Sequence, residues 1–331
     1  MKKVSISLFL LFVLLFTDRV FGRFSFEPTI YKLWGNTTYH IRFSENDPVY
    51  GTVYGDSELE YPLDIFMIGL NTALEFDLSG KRDLSFYLSA VHNITDPHDP
   101  MIDSDWITVP SYGVYNDLWS YTESDTRLYA WEMDISGGYS FINRLYYNSL
   151  YNFQFILGYR YHRYDYDIIG INYGWQETTS GEQTFRDSYK DQTVLKYLVS
   201  YHIPYLGLRM DMDSPSGLEV GMQFSYSPYT FARDHDDHVL RYKEARTESS
   251  GTTIMAETKF VCPVIKSGSS ITLLQLGFHY INIKTEGKQK QYFYGDDPGS
   301  AGDETGLELP DIDNKVYSYQ YVLSFSIVSR F

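Results

Sequence analysis

From about residue 30 onward the chain alternates apolar and polar positions with a period of two. That is the pattern of strands with one face against an apolar medium and the other against a polar one. The last segment is the plainest. Tyr317, Tyr319, Tyr321, Leu323, Phe325, Ile327 and Phe331 share one face, while Ser318, Gln320, Ser324, Ser326 and Arg330 fall mostly on the other. Residues 151–163 set Phe153, Phe155, Leu157, Tyr159 and Tyr161 against Asn152, Gln154, Arg160 and His162, and residues 218–227 and 274–280 repeat the pattern. Ten such segments can be read, near 30–43, 57–77, 83–95, 125–141, 150–168, 190–210, 217–232, 251–263, 270–285 and 315–331. The first is the least strand-like, because Pro28 and Gly35 interrupt it.

The connections alternate in length. Short turns fall near 78–82, 142–149, 211–216 and 264–269, and long polar loops near 44–56, 96–124, 169–189, 233–250 and 286–314. Antiparallel strands return every second connection to the same side. The five long loops therefore share one end, and the four turns share the other with both termini.

Composition decides what the apolar faces meet. The chain holds 32 Tyr, 21 Phe and 5 Trp at a mean hydropathy of only −0.31. So many aromatics on a weakly hydrophobic chain fit a barrel with an apolar outside, aromatic girdles and a polar inside. A soluble sandwich alternates too, but its apolar faces are not so aromatic at their ends. Phe331, on the apolar face of the last segment, resembles the C-terminal signature of bacterial outer-membrane barrels. The expected fold is all-β: a ten-stranded antiparallel transmembrane β-barrel with long extracellular loops and short periplasmic turns.

Lys2-Lys3, an apolar run from Ile6 to Phe16 and a small residue at Gly22 read as a secretory signal peptide, residues 1–22, ahead of a barrel over 23–331. The single cysteine, Cys262, rules out an internal disulfide and falls at an expected periplasmic turn. A net charge of −16 argues against nucleic acid as a partner and favours cationic peptides.

Two polar stretches carry chemistry. Met101-Ile102-Asp103-Ser104-Asp105-Trp106 lies in the second long loop, and Asp234-His235-Asp236-Asp237-His238 in the fourth. Both belong to the outer rim, where non-adjacent loops of a narrow barrel can face each other. Two-residue spacing on extended backbone points Asp103 and Asp105 one way, and likewise Asp236 and His238. A His beside a carboxylate can take a proton from water, and crowded carboxyls raise one another's pKa. Spacing alone leaves three readings open: a hydrolytic site, a divalent-metal site, or solvated loops.

The chain resembles the omptin family of outer-membrane endopeptidases. The first stretch resembles the family's Met-Val-Asp-Gln-Asp-Trp block and the second its Asp-Asn-Asp-Glu-His block. Thr184-Phe185-Arg186-Asp187, Ile203-Pro204-Tyr205-Leu206-Gly207-Leu208 and Leu157-Gly158-Tyr159 have counterparts in the same order. The resemblance implies a catalytic dyad of Asp236 and His238 facing Asp103 and Asp105 across the attacking water, without a metal or other cofactor. It implies cleavage beside basic residues, with Asp234 as an acidic group of the pocket before the cut. The family's second acid there has no counterpart that can be placed. The resemblance also implies a lipopolysaccharide requirement met on the outer wall, where Tyr159 and Arg163 match, but Tyr161 and Ser200 replace the family's Glu and Arg. The expectation is a monomeric peptidase of the bacterial outer membrane, its site facing outward. A non-catalytic adhesin or a narrow porin is the alternative.

Overall fold

The computed structural model describes residues 21–47, 49–77, 82–178, 180–267, 270–298 and 302–331. The expected leader lies outside these residues, except that Phe21 and Gly22 open the first strand. Twelve antiparallel strands form one sheet among the described residues: β1 (Phe21–Asp47), β2 (Gly51–Pro62), β3 (Ile65–Asp77), β4 (Arg82–Asn93), β5 (Met101–Val109), β6 (Val114–Tyr146), β7 (Ser149–Thr178), β8 (Gly181–Asp213), β9 (Glu219–His238), β10 (Lys243–Ser267), β11 (Ser270–Phe293) and β12 (Glu308–Arg330). β2 and β3 run end to end along β1, and β4 and β5 run end to end along β6. Twelve strands thus make ten staves, and β12 pairs with β1 to close the ring. The ten-stranded barrel expected from the alternation is the fold found.

Three expectations need correction. The long loops are largely strand. β6, β7 and β8 have 33, 30 and 33 residues, about 100 Å of extended chain each. Their hairpins continue far beyond the apolar band. Above it both faces meet water or polar neighbours, so the period-two signal fades while the backbone ladder continues. Asp103 and Asp105 are therefore on strand β5, and Asp234 to His238 end strand β9, rather than lying in loops. Cys262 likewise lies within β10, exposed, and not in a turn.

The first strand is also stronger than its sequence suggests, since β1 runs unbroken through Pro28 and Gly35. Gly35 has φ +133°, and a Cβ there would stand 1.8 Å from the Tyr319 carbonyl oxygen. Its own carbonyl accepts the Leu63 N–H at 2.9 Å. The glycine thus sits where β1 passes from pairing with β3 to pairing with β2.

The outer wall is apolar through the membrane band, with Phe86, Ile135, Leu157, Phe224, Leu276 and Phe325 all exposed. The inside is polar and holds a cavity in its lower part, lined by Tyr31, Asp134, Arg160, Arg209 and Glu257. In the lower lumen Arg160 bridges Asp134 at 2.6 Å and Glu257 at 2.7 Å. Higher up lies a layer of fully buried tyrosines. The Tyr61 and Tyr197 rings stack at 4.2 Å, Tyr166 lies 5.1 Å from Tyr61, and Tyr39 lies 5.5 Å from Tyr197. Each such pair contributes about 0.5–1.5 kcal/mol beyond its burial. The layer is the floor on which the upper hairpins build a cleft.

Candidate active site

β5 is held between β2 and β6, with Leu59 opposite Asp103 and Ser57 opposite Asp105. Alternate positions of a strand share a face, so Met101, Asp103 and Asp105 point together, and Met101 is buried. Tyr61, two residues from Leu59 on β2, shares that face and is fully buried.

β9 arrives from the other side. The run Asp234 to His238 splits by the same parity. Asp234 and Asp236 are buried, at 5% and 1% exposure, and His238 follows them on that face. His235 and Asp237 face outward instead, where His235 meets Glu244 at 2.9 Å and Asp237 accepts the Tyr294 hydroxyl at 2.9 Å. Only every second residue of the acidic run therefore enters the cleft. Asp236 Oδ2 lies 3.0 Å from His238 Nε2. Tyr197 is cross-strand from Asp236, so the aromatic floor continues under this pair.

The two acidic strands interact across the cleft. Burial first, then the Asp105 and Asp236 carboxylates, push the Asp103 carboxyl well above its usual range. Burial also raises Asp105, opposed by the Ser57 hydroxyl and by His238. Asp234 is raised well above its ordinary value by burial, which the adjacent Thr247 hydroxyl only partly offsets. One oxygen of Asp103 and one of Asp236 are buried without a hydrogen-bond partner. A site with a proton held on one carboxyl, and an imidazole held by another, can activate water and return its proton to a leaving group.

Tyr159 and Arg163 stand elsewhere, on the outer face of β7. The Tyr159 hydroxyl meets His202 Nδ1 at 2.6 Å, and Arg163 pairs with Asp165 at 3.1 Å.

A family model for the omptin family matches residues 57–308. The chain belongs to the omptin family. Omptins are outer-membrane proteases, and the bacterial outer membrane is where this one resides. The fold agrees. The outer membrane protease OmpT from Escherichia coli superposes with a TM-score of 0.69 at 15% identity, over 93% of this chain and 97% of that one. The β domain of the Bordetella autotransporter BrkA gives 0.28 at 11% identity, over 92% and 98%. OprG from Pseudomonas aeruginosa gives 0.27 at 9%, over 94% and 96%. Curated protein sequences gave no match.

Several residues of this omptin's cleft were not legible in the sequence. Lys243, on β10, is buried and cross-strand from His238. Arg241 reaches Asp297 at 2.8 Å, and Asp297 is itself buried. Tyr39, Tyr61 and Tyr197 line the floor. Among 32 tyrosines nothing local marks these three, and the two basic residues follow the acidic run without any periodic signature.

Proposed function

We propose that this omptin hydrolyses peptide bonds with a water held between the Asp236–His238 dyad and the Asp103–Asp105 pair, next to basic residues of the substrate. The observation that carries the reading is the 3.0 Å contact between Asp236 and His238, on a buried face that senses Asp103 from the opposite stave. With Nε2 engaged by Asp236, Nδ1 is the nitrogen left to take a proton from water. Asp236 holds the ring and stabilises the imidazolium.

Asp234 is the acid of the pocket for the residue before the cut. Its buried carboxyl gains a charge partner when an Arg or Lys side chain enters. Tyr39 lies fully buried near Asp236 and Asp234, an aromatic base to that pocket. The net charge of −16 draws cationic peptides to the outer rim. The partner on the outer wall is lipopolysaccharide, with Tyr159 and Arg163 at its contact. Assays with and without added lipopolysaccharide test that requirement, and equal rates would remove it. The protein acts as a monomer, since both acidic pairs come from one barrel.

The test is a peptide-library digest by the refolded protein, with cut sites read by mass spectrometry. Cuts clustered beside Arg and Lys are expected. An inert wild type, refolded with lipopolysaccharide, would favour the adhesin reading instead. A pore is disfavoured by the layer of stacked, fully buried tyrosines, and by Arg160, whose bridges to Asp134 and Glu257 cross the lumen below it.

A further inference from the structure

Among the described residues, the acidic cleft contains one buried cation that the dyad and the facing pair leave without a task. Lys243 opens β10 directly across from His238, with Phe293 on its other side. Along β10, Lys243, Ala245, Thr247 and Ser249 are buried and Arg246, Glu248 and Ser250 exposed. The lysine therefore points inward, on the face where Thr247 meets Asp234. It is only 7% exposed. Arg241 is different, 55% exposed at its side chain and held by Asp297. Lys243 is committed to no single carboxylate among the described residues. It senses Asp236, Asp297 and Asp103 together.

Adding water to a peptide carbonyl leaves a negative charge on its oxygen, and a donor must meet it. This cleft makes that demand severe, because Asp103, Asp105, Asp234 and Asp236 all line it. Backbone N–H groups usually serve, but here the catalytic face is built on strands. The ladders of β5, β9 and β10 run to their neighbours on both sides, so their amides are committed. On these three strands the donor falls to a side chain.

Resting on the peptidase reading above, we propose that the Lys243 ammonium stabilises the oxyanion of the tetrahedral intermediate. The water oxygen bonds to the carbonyl carbon and its proton passes to His238 Nδ1. The carbonyl π pair moves onto oxygen, which accepts a hydrogen bond from Lys243 Nζ. The carbon–oxygen double bond then re-forms, the carbon–nitrogen bond breaks, and His238 gives its proton to the leaving amine. Lys243 keeps its proton throughout.

A charge so placed should titrate within reach. Burial first, then Arg241, lower the ammonium to about 8, against the opposing pull of Asp236, Asp297 and Asp103. Among the described residues the groups facing it are Asp236 and His238 on β9, Asp103 and Asp105 on β5, Arg241 in the turn and Asp297 after β11.

The experiment uses the full refolded barrel with lipopolysaccharide and a fluorogenic peptide containing one scissile bond. Values of kcat and KM are measured separately from pH 6 to 10 for Lys243→Met and Lys243→Arg, with heat-modifiable migration reporting folding. The Met variant is expected to lose about 10²–10³ in kcat, the usual cost of one oxyanion donor, with KM within threefold of wild type. The Arg variant should retain much of the rate, with its alkaline limb moved upward. An unchanged or higher kcat in the Met variant, or a change confined to KM, overturns the proposal. If the Met variant does not fold, an unmoved alkaline limb in the Arg variant overturns it. A wild type with no cleavage, or an active Asp236→Asn, sinks the peptidase reading itself.

Discussion

Asp236 and His238 stand on one face of β9, their carboxylate and imidazole 3.0 Å apart, with the carboxylate almost wholly enclosed. Enclosure is what gives the contact its weight. A carboxylate that water cannot reach interacts with the ring more strongly than an exposed one, and it fixes which ring nitrogen is free. Asp236→Asn keeps the shape and removes the charge. The expected loss in kcat is about 10²–10⁴, the range of general-base assistance, with KM little changed and heat modifiability intact. Steady-state kinetics on a short Arg-Arg peptide check this, and a variant with wild-type kcat would remove the dyad from the mechanism.

Asp234 faces the same cleft but is two residues below the dyad, so its role separates from catalysis. Asp234→Asn should lower kcat/KM for peptides with Arg or Lys before the cut by about 10–100-fold, the scale of one charge-assisted contact. Peptides with a neutral residue there should be cut no worse than before. Cut-site profiling of both proteins on one library decides it. If the basic preference survives undiminished, Asp234 is not the pocket acid.

How much of this could be read beforehand differs between the band and the rim. Where the wall meets lipid, Leu157, Phe224 and Phe325 must alternate with Gly158, Ser225 and Ser324, and the barrel follows from that alternation. Higher up there is no lipid to impose the pattern, so Met101 to Val109 reads as a loop and folds as a strand. The two-residue spacing of the acidic pairs survives this error, because an extended loop and a strand have the same parity. Lys243 does not announce itself. Its place on the buried face depends on its pairing with β9 and β11, which no local window of sequence contains. Gly35 shows the opposite case. It reads as a strand breaker, yet the close approach of Tyr319 requires a residue with no Cβ there.

The buried acids make stability depend on pH in an unusual direction. Asp103, Asp105 and Asp234 are all raised, chiefly by burial. An unfolded aspartate has a pKa of about 3.9. Between that value and the raised folded values, the native barrel binds more protons than the unfolded chain. Stability from these three groups therefore falls as pH rises through that window, and returns as pH is lowered. Asp103→Asn should make the barrel more stable than wild type at pH 8, with the difference closing toward pH 4. Urea unfolding in detergent, followed by tryptophan fluorescence at several pH values, measures it. A variant less stable than wild type at pH 8 would show that the carboxyl is held by partners rather than strained by burial.

The tyrosine floor is the remaining element whose removal can be calculated. Tyr61 has no exposed surface, stacks on Tyr197 at 4.2 Å and lies 5.1 Å from Tyr166. Tyr61→Ala removes a ring from a filled layer, so the cost is the lost burial and the cavity together, about 3–5 kcal/mol as for other large aromatic truncations. That loss should appear as a lower urea midpoint with an unchanged slope. It should also lower kcat, because Asp103 and Asp236 rest on the same layer. It should not open a pore. Arg160, bridged to Asp134 on β6 and to Glu257 on β10, still crosses the lumen below. In a planar bilayer, wild type and Tyr61→Ala should both be silent. Stable channels in the wild type would mean that neither level seals the barrel, and the cleft would then be the mouth of a conduit.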